Sequence, residues 1–123
     1  MIAVLAALAL SPGFAGCRAY TAQHPVLVAR PSSIVFACAD GNFYATRLRW
    51  TSWGATAQAR GTAHANDCKP YCAAGHFHTY RVAVTLSRPK RCGGRVELTR
   101  VTWRFPAAKP AGPRAGSVDF RCA

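Results

Sequence analysis

At 123 residues the chain has room for one domain with a modest core. Its formal charge of +12, from 16 lysines and arginines against 4 aspartates and glutamates, biases it towards polyanions such as nucleic acid, phosphate-rich envelope polymers or anionic lipid headgroups. The four acids, Asp40, Asp67, Glu97 and Asp119, are a thin pool for paired-carboxylate glycoside hydrolysis, and no Gly-x-Ser-x-Gly elbow, phosphate-cradling glycine loop or His-Glu-x-x-His helix occurs.

Met1 to Gly16 carry no charge, and Ile2 to Leu10 form an unbroken apolar run. That run is too short to span a bilayer and reads as the central region of a signal peptide, although no lysine or arginine precedes it. Gly13 and Ala15 supply the small residues for cleavage after Ala15. Alternatively, Phe14-Ala15-Gly16-Cys17 resembles a lipoprotein box, and only lipidation at Cys17 would tie the chain to a membrane. The expected organisation is a leader over 1–16 and a secreted β domain over 17–123.

Past the leader, alternation with period two recurs and sustained helical periodicity does not. A weak strand is expected over Val26 to Arg30, between Pro25 and Pro31. A second, Ser33 to Cys38, ends at the turn signal Asp40-Gly41. The chain re-extends through Phe43 to Trp53, with Tyr44, Leu48 and Trp50 in phase. From Ala55 to Ala65 one face is Ala and Gly and the other Thr, Gln, Arg60 and His64, which suits a strand that lets Trp50 and Trp53 lie across it. Tyr80, Val82, Val84 and Leu86 share one face of the clearest strand. In Val96 to Phe105 the apolar parity changes, and a β-bulge near Thr99 and Arg100 would keep Val96, Leu98, Val101, Trp103 and Phe105 on one side. After a Pro/Gly-rich loop over 107–116, Ser117 to Cys122 resumes alternation. These elements predict an all-β fold, a disulfide-stapled Ig-like sandwich of about seven strands.

Cys17, Cys38, Cys68, Cys72, Cys92 and Cys122 in a small exported chain read as three disulfides, with fifteen connectivities open. Lipidation of Cys17 would leave one of the other five unpaired.

The segment Asn66 to Tyr80 holds Cys68, Cys72, His76 and His78, residue types that suit tetrahedral zinc, but at spacings unlike a zinc finger. Export favours disulfides instead, and His76 and His78 share parity with Tyr80 and Val82. Four histidines, His24, His64, His76 and His78, with abundant arginine are also the ingredients of phosphodiester cleavage by general acid and base. No catalytic residue, metal or cofactor is assigned. Arginine offers more. Arg47 and Arg49 share a face, and Arg81, Arg95, Arg100 and Arg104 lie in other strands; aligned across a sheet, they would form a stripe able to hold phosphates bidentately, with Trp53, Tyr44 or Tyr71 to stack on bases or sugars. The plainer reading is a solvated charged face that keeps a secreted protein soluble.

The runs Ile34-Val35-Phe36-Ala37-Cys38-Ala39-Asp40-Gly41-Asn42, Leu48-Arg49-Trp50-Thr51-Ser52-Trp53-Gly54 and Asn66-Asp67-Cys68 through Tyr80 resemble a group of small secreted proteins of high-GC actinobacteria whose function is uncharacterised. The resemblance spans roughly 31–91 and implies export and disulfides without supplying catalytic residues. In that group the cysteines matching Cys38, Cys68 and Cys72 recur, so it implies that Cys17 and Cys122, the additional ones, pair with each other. The expected function is binding, without catalysis, to an anionic cell-envelope polymer or another polyanion outside the cell. The alternatives are a secreted phosphodiesterase or RNase using His76 or His78, and a secreted inhibitor or toxin.

Overall fold

The structure, a computed structural model, describes residues 11–23 and 25–123; residues 1–10, which hold most of the expected leader, and His24 lie outside them. A one-turn helix α1 (Arg18–Thr21) precedes β1 (Ile34–Val35), β2 (Phe43–Trp53), β3 (Ala57–Asn66), β4 (Phe77–Cys92), β5 (Arg95–Arg104) and β6 (Ala115–Asp119), with a 3-10 turn at Cys72–Ala74. Neighbouring strands are antiparallel and spatial order follows chain order, β1-β2-β3-β4-β5-β6.

The molecule is all-β, as the period-two patterning requires. It differs from expectation in having one curled sheet in place of two facing sheets, and six strands among the described residues in place of about seven. The expected strand at Val26 to Arg30 contributes a single bridge, Val28 opposite Phe14. One sheet suffices because its small-residue strand lets it curl around its own core. Ala57, Ala59 and Ala63 of β3 are buried, and Trp53 and Trp50 stand opposite Ala57 and Ala59 on β2. The two indoles pack edge to face with centroids 5.0 Å apart. Their N–H groups donate to the Pro31 and Pro12 carbonyls at 2.7 and 2.9 Å, so each half-buried ring packs against the core with its polar atom satisfied.

Those two carbonyls belong to the segment that spans the open side of the curl. Gly13 donates to the Val96 carbonyl and accepts from the Leu98 N–H on β5, while Phe14 and Val28 exchange backbone hydrogen bonds. Further along the same segment, Ser32 accepts from the Leu48 N–H on β2. Phe14, Ile34 and Phe36 thereby enter the core with Val82, Val84, Leu86, Leu98, Val101, Phe105 and Phe120. Phe36 lies 4.7 Å from Phe43 of β2 and 5.0 Å from Trp103 of β5, so distant strands meet inside the curl.

Three irregularities set which residues face inward, one of them the slip between Trp50 and Ser52 that turns Trp53 to the same side as Trp50. On β2 the pairing slips between Thr46 and Arg49, and Arg47 adopts a left-handed φ of 55°. This bulge puts Tyr44 on the outer face and Leu48 and Trp50 on the inner, correcting the expectation that all three are in phase. Leu48 fits because Gly61 faces it: a Cβ there would lie 2.6 Å from the Thr46 carbonyl oxygen and 2.9 Å from Leu48 Cδ2. The expected phase change on β5 also exists, but no bulge at Thr99 and Arg100 produces it. Ser87 pairs with Arg100 and Pro89 with Leu98 in unbroken register. Both strands switch faces together, with Arg88 at a φ of 55° and its carbonyl accepting from Thr99 Oγ1 at 2.8 Å.

All six cysteines are bridged: Cys17 to Cys38, Cys68 to Cys72, and Cys92 to Cys122. The pairing of Cys17 with Cys122 implied by the resemblance is not the one formed. The buried Phe14 carries Cys17 towards β1 and the following Cys38, whereas Cys122 is delivered by β6 to the far end of β4. Three disulfides point to an oxidising setting, and no described helix is long and apolar enough to cross a membrane.

Phe14 is 3% exposed and Val26 67%. Phe14→Ala is expected to lower unfolding free energy by about 3–5 kcal/mol, and Val26→Ala by no more than about 0.5 kcal/mol. Urea titration checks this; equal small effects would mean that the N-terminal segment is not part of the core.

Candidate functional site

The outer face of the sheet gathers arginine. In the strand register Arg49 stands opposite Arg60, Arg60 opposite Ala83, and Ala83 opposite Arg104, a row crossing β2, β3, β4 and β5. Arg81 lies two residues from Ala83 on the same face, opposite Thr62. Directly opposed side chains start about 5 Å apart, and Arg60 and Arg104, two strands apart, about 10 Å. The small side chain of Ala83 leaves the space between them open. A shallow depression lined by Arg60, Arg81 and Pro106 lies on this face. On one side the neighbouring row carries Thr46 and Thr62 next to Arg81, and on the other it is neutral and polar: Ser52, Gln58, Thr85, Thr102 and Ser117.

Arg49, Arg60, Arg81 and Arg104 are all exposed, and among the described residues no hydrogen bond or ion pair restrains their guanidinium groups. The cause is the shortage of acids, each of which is engaged elsewhere. Asp40 accepts from the Asn42 N–H in the β1–β2 turn. Buried Glu97 accepts from the Ala123 N–H at 2.9 Å. Asp67 is held in the disulfide loop before β4. Asp119 takes Arg100 bidentately at 2.7 and 2.9 Å, with Arg88 at 3.7 Å. That pairing raises the pKa of Arg100 and lowers that of Asp119.

Of the six arginines singled out in the sequence, the fold thus brings together Arg49, Arg81 and Arg104. Arg100 shares their face, neutralised by Asp119. Arg47 occupies the β2 bulge, and Arg95 sits opposite Cys92 at the β4–β5 hairpin, away from the row. Arg60 was missed as a site residue, although its place on the polar parity of β3 was readable. Of the aromatics, Trp53 turns inward, Tyr71 is exposed on the disulfide loop, and Tyr44 lies on the outer face beyond the threonine row. There Tyr44 stacks on His64 with centroids 4.6 Å apart and meets Phe77, itself 47% exposed, at 5.7 Å.

The disulfide loop has a structural organisation. Cys68 and Cys72 are bonded to each other, so neither offers zinc a thiolate. The other close group, Cys92, Glu97 and Cys122, likewise has both sulfurs in a disulfide. Asn66 donates to the Asn42 side chain and the Cys72 carbonyl and accepts from the Cys68 N–H. Asp67 accepts from the backbone N–H groups of Lys69 and His76 and binds the His78 ring at 2.9 Å. His64 bonds Thr46 Oγ1 at 2.8 Å while stacked on Tyr44. His64 and His78 are therefore each bound to a different partner, and His76 contributes its backbone to Asp67.

No protein-family model matches the chain, and neither a curated protein nor a solved structure was found to match it.

The Asp67 pKa is held well below the ordinary carboxylate value of 3.8, first by His78 and then by the His76 and Lys69 N–H groups. A folded-state value below the unfolded one means the contribution to stability is complete above the unfolded value and is lost as pH falls through the folded one. Asp67→Asn is therefore expected to destabilise the protein at about pH 6, with a gap to the unmodified chain that stays constant down to about pH 4 and narrows progressively below it. Denaturant titrations across that range test it; a gap independent of pH would show that the charge of Asp67 plays no part.

Proposed function

We propose that the chain is a secreted, basic binding protein, without catalytic activity, that holds an anionic cell-envelope polymer or another polyanion against the outer face of its sheet. The observation that carries this reading is the row Arg49, Arg60 and Arg104 with Arg81 beside it: four exposed guanidinium groups on rigid strands, none facing an acid. Guanidinium groups match phosphate and sulfate oxygens bidentately. Fixing their stems on paired strands reduces what must be ordered when a polyanion docks. The neutral Thr, Ser and Gln side chains add hydrogen-bonding groups without repelling an anion. Three disulfides suit work outside the cell, and membership of the secreted actinobacterial group that the sequence resembles is part of the same proposal.

Competing salt should weaken the binding steeply, because each cation engaged releases counterions from the polymer. The variant Arg49→Gln, Arg60→Gln, Arg81→Gln, Arg104→Gln is expected to elute from heparin at much lower salt than the unmodified chain. A matched variant, Arg30→Gln, Lys69→Gln, Arg91→Gln, Arg95→Gln, removes equal charge elsewhere and should shift elution much less. Equal shifts would reduce the interaction to net charge and remove the site; insensitivity to salt would remove electrostatic binding altogether.

A further inference from the structure

Beyond the arginines, one end of the outer face carries aromatic rings. On β4 the outward residues run Phe77, Thr79, Arg81 and Ala83, and they stand opposite Asn66, His64, Thr62 and Arg60 of β3. Tyr44 on β2 lies opposite His64, so the rings and Arg81 share one continuous surface. The Tyr44 and His64 rings stack with 7° between their planes, and Phe77 tilts against Tyr44. A hydrogen bond of 2.8 Å between His64 Nε2 and Thr46 Oγ1 fixes the stacked pair. Phe77 nevertheless leaves 47% of its surface exposed. At about 3.3 Å per residue, it stands roughly 13 Å from Arg81, with only Thr79 between them on that face.

An exposed ring beside a cationic row narrows the class of polyanion. A linear phosphate chain has nothing apolar to lay on Phe77. A sugar does: its C–H face suits an aromatic surface, and its hydroxyls both donate and accept. Thr62 and Thr79 flank Arg81 with hydroxyls that, among the described residues, make no hydrogen bond. Bases are read through paired donors and acceptors such as an amide provides. The amide opposite Phe77, that of Asn66, is spent: it donates to Asn42 and Cys72 and accepts from the Cys68 N–H. We propose that Phe77, Thr79 and Arg81 form a subsite for an anionic glycan, one sugar lying on the Phe77 ring while the acidic group of a neighbouring sugar meets Arg81. The inference rests on the arginine reading of this face and names its ligand class: sugar rings carrying sulfate, phosphate or carboxylate.

Affinity titrations with heparin fragments, inorganic polyphosphate and poly(dT) test it. Phe77→Ala is expected to weaken heparin binding about fivefold and to leave polyphosphate binding and the salt slope for heparin unchanged, because a ring releases no counterions. Phe77→Tyr keeps the ring and should bind heparin as the unmodified chain does. Arg81→Gln should weaken both heparin and polyphosphate and lower the salt slope. Equal weakening of the two polymers by Phe77→Ala would mean that the ring only supports the sheet, and no weakening of either would remove the subsite; both results overturn the glycan proposal and leave the charge reading standing. A larger loss for poly(dT) than for heparin would assign the ring to bases and overturn it too. Failure of the unmodified chain to bind either heparin or polyphosphate would remove the arginine reading itself.

Discussion

The contact on which the architecture depends is the approach of Leu48 on β2 to the bare backbone of Gly61 on β3. A single six-stranded sheet has two faces, and a chain of this size has no second layer with which to cover one of them. The protein meets that constraint by curling. Small residues at Ala57, Ala59, Gly61 and Ala63 thin the inner face of β3, and the Arg47 bulge drives Leu48 into the space so made. The sheet can then bend until Phe36, beside β1, touches Trp103 on β5. The segment containing Pro12 to Phe36 closes what remains open, anchored by two indole hydrogen bonds and the Cys17–Cys38 bridge.

The charge arrangement follows from that geometry. With the inner face sealed, residues of opposite parity are turned to solvent, and on β2, β3, β4 and β5 those include Arg49, Arg60, Arg81 and Arg104. A protein with balanced charge would place acids opposite them, as Asp119 stands opposite Arg100. Here the few acids serve local structure, in a turn, in the disulfide loop and at the C-terminus. The outer face therefore keeps an unneutralised positive field whose self-repulsion an external anion would relieve. The disulfides help the fold tolerate this repulsion by restricting the unfolded chain.

Strand identity was legible where alternation was strict. Val82, Val84 and Leu86 show their buried parity plainly, and β2 begins and ends at the expected residues, Phe43 and Trp53. The role of the alanines on β3 was readable too, because a strand of small residues makes sense only under large neighbours. Phase was not legible through Arg47 or Arg88, since a left-handed residue at a non-glycine position leaves no compositional mark. The choice between one curled sheet and two facing ones was equally hidden: it rests on how tightly β3 bends, whereas alternation reports only that one side of each strand is covered. Arg60 escaped notice because an alanine-rich run draws attention to its small face and away from the polar one. The cysteine pairing was beyond the sequence because it depends on where Phe14 anchors the chain, and Phe14 stands in an uncharged stretch that carries the marks of a leader.

The account rests on β3 being thin where β2 bulges towards it. The most direct test is to thicken it: Gly61→Val, compared with Thr62→Val one residue along on the outer face, followed by urea unfolding and near-ultraviolet circular dichroism of the tryptophans. Valine is the better strand former, so intrinsic propensity alone would make Gly61→Val stabilising. The curled sheet predicts a loss of about 1–3 kcal/mol and an altered tryptophan signal for Gly61→Val, with Thr62→Val within about 0.5 kcal/mol of the unmodified protein. A Gly61→Val variant as stable as Thr62→Val, with its tryptophan signal unchanged, would contradict it.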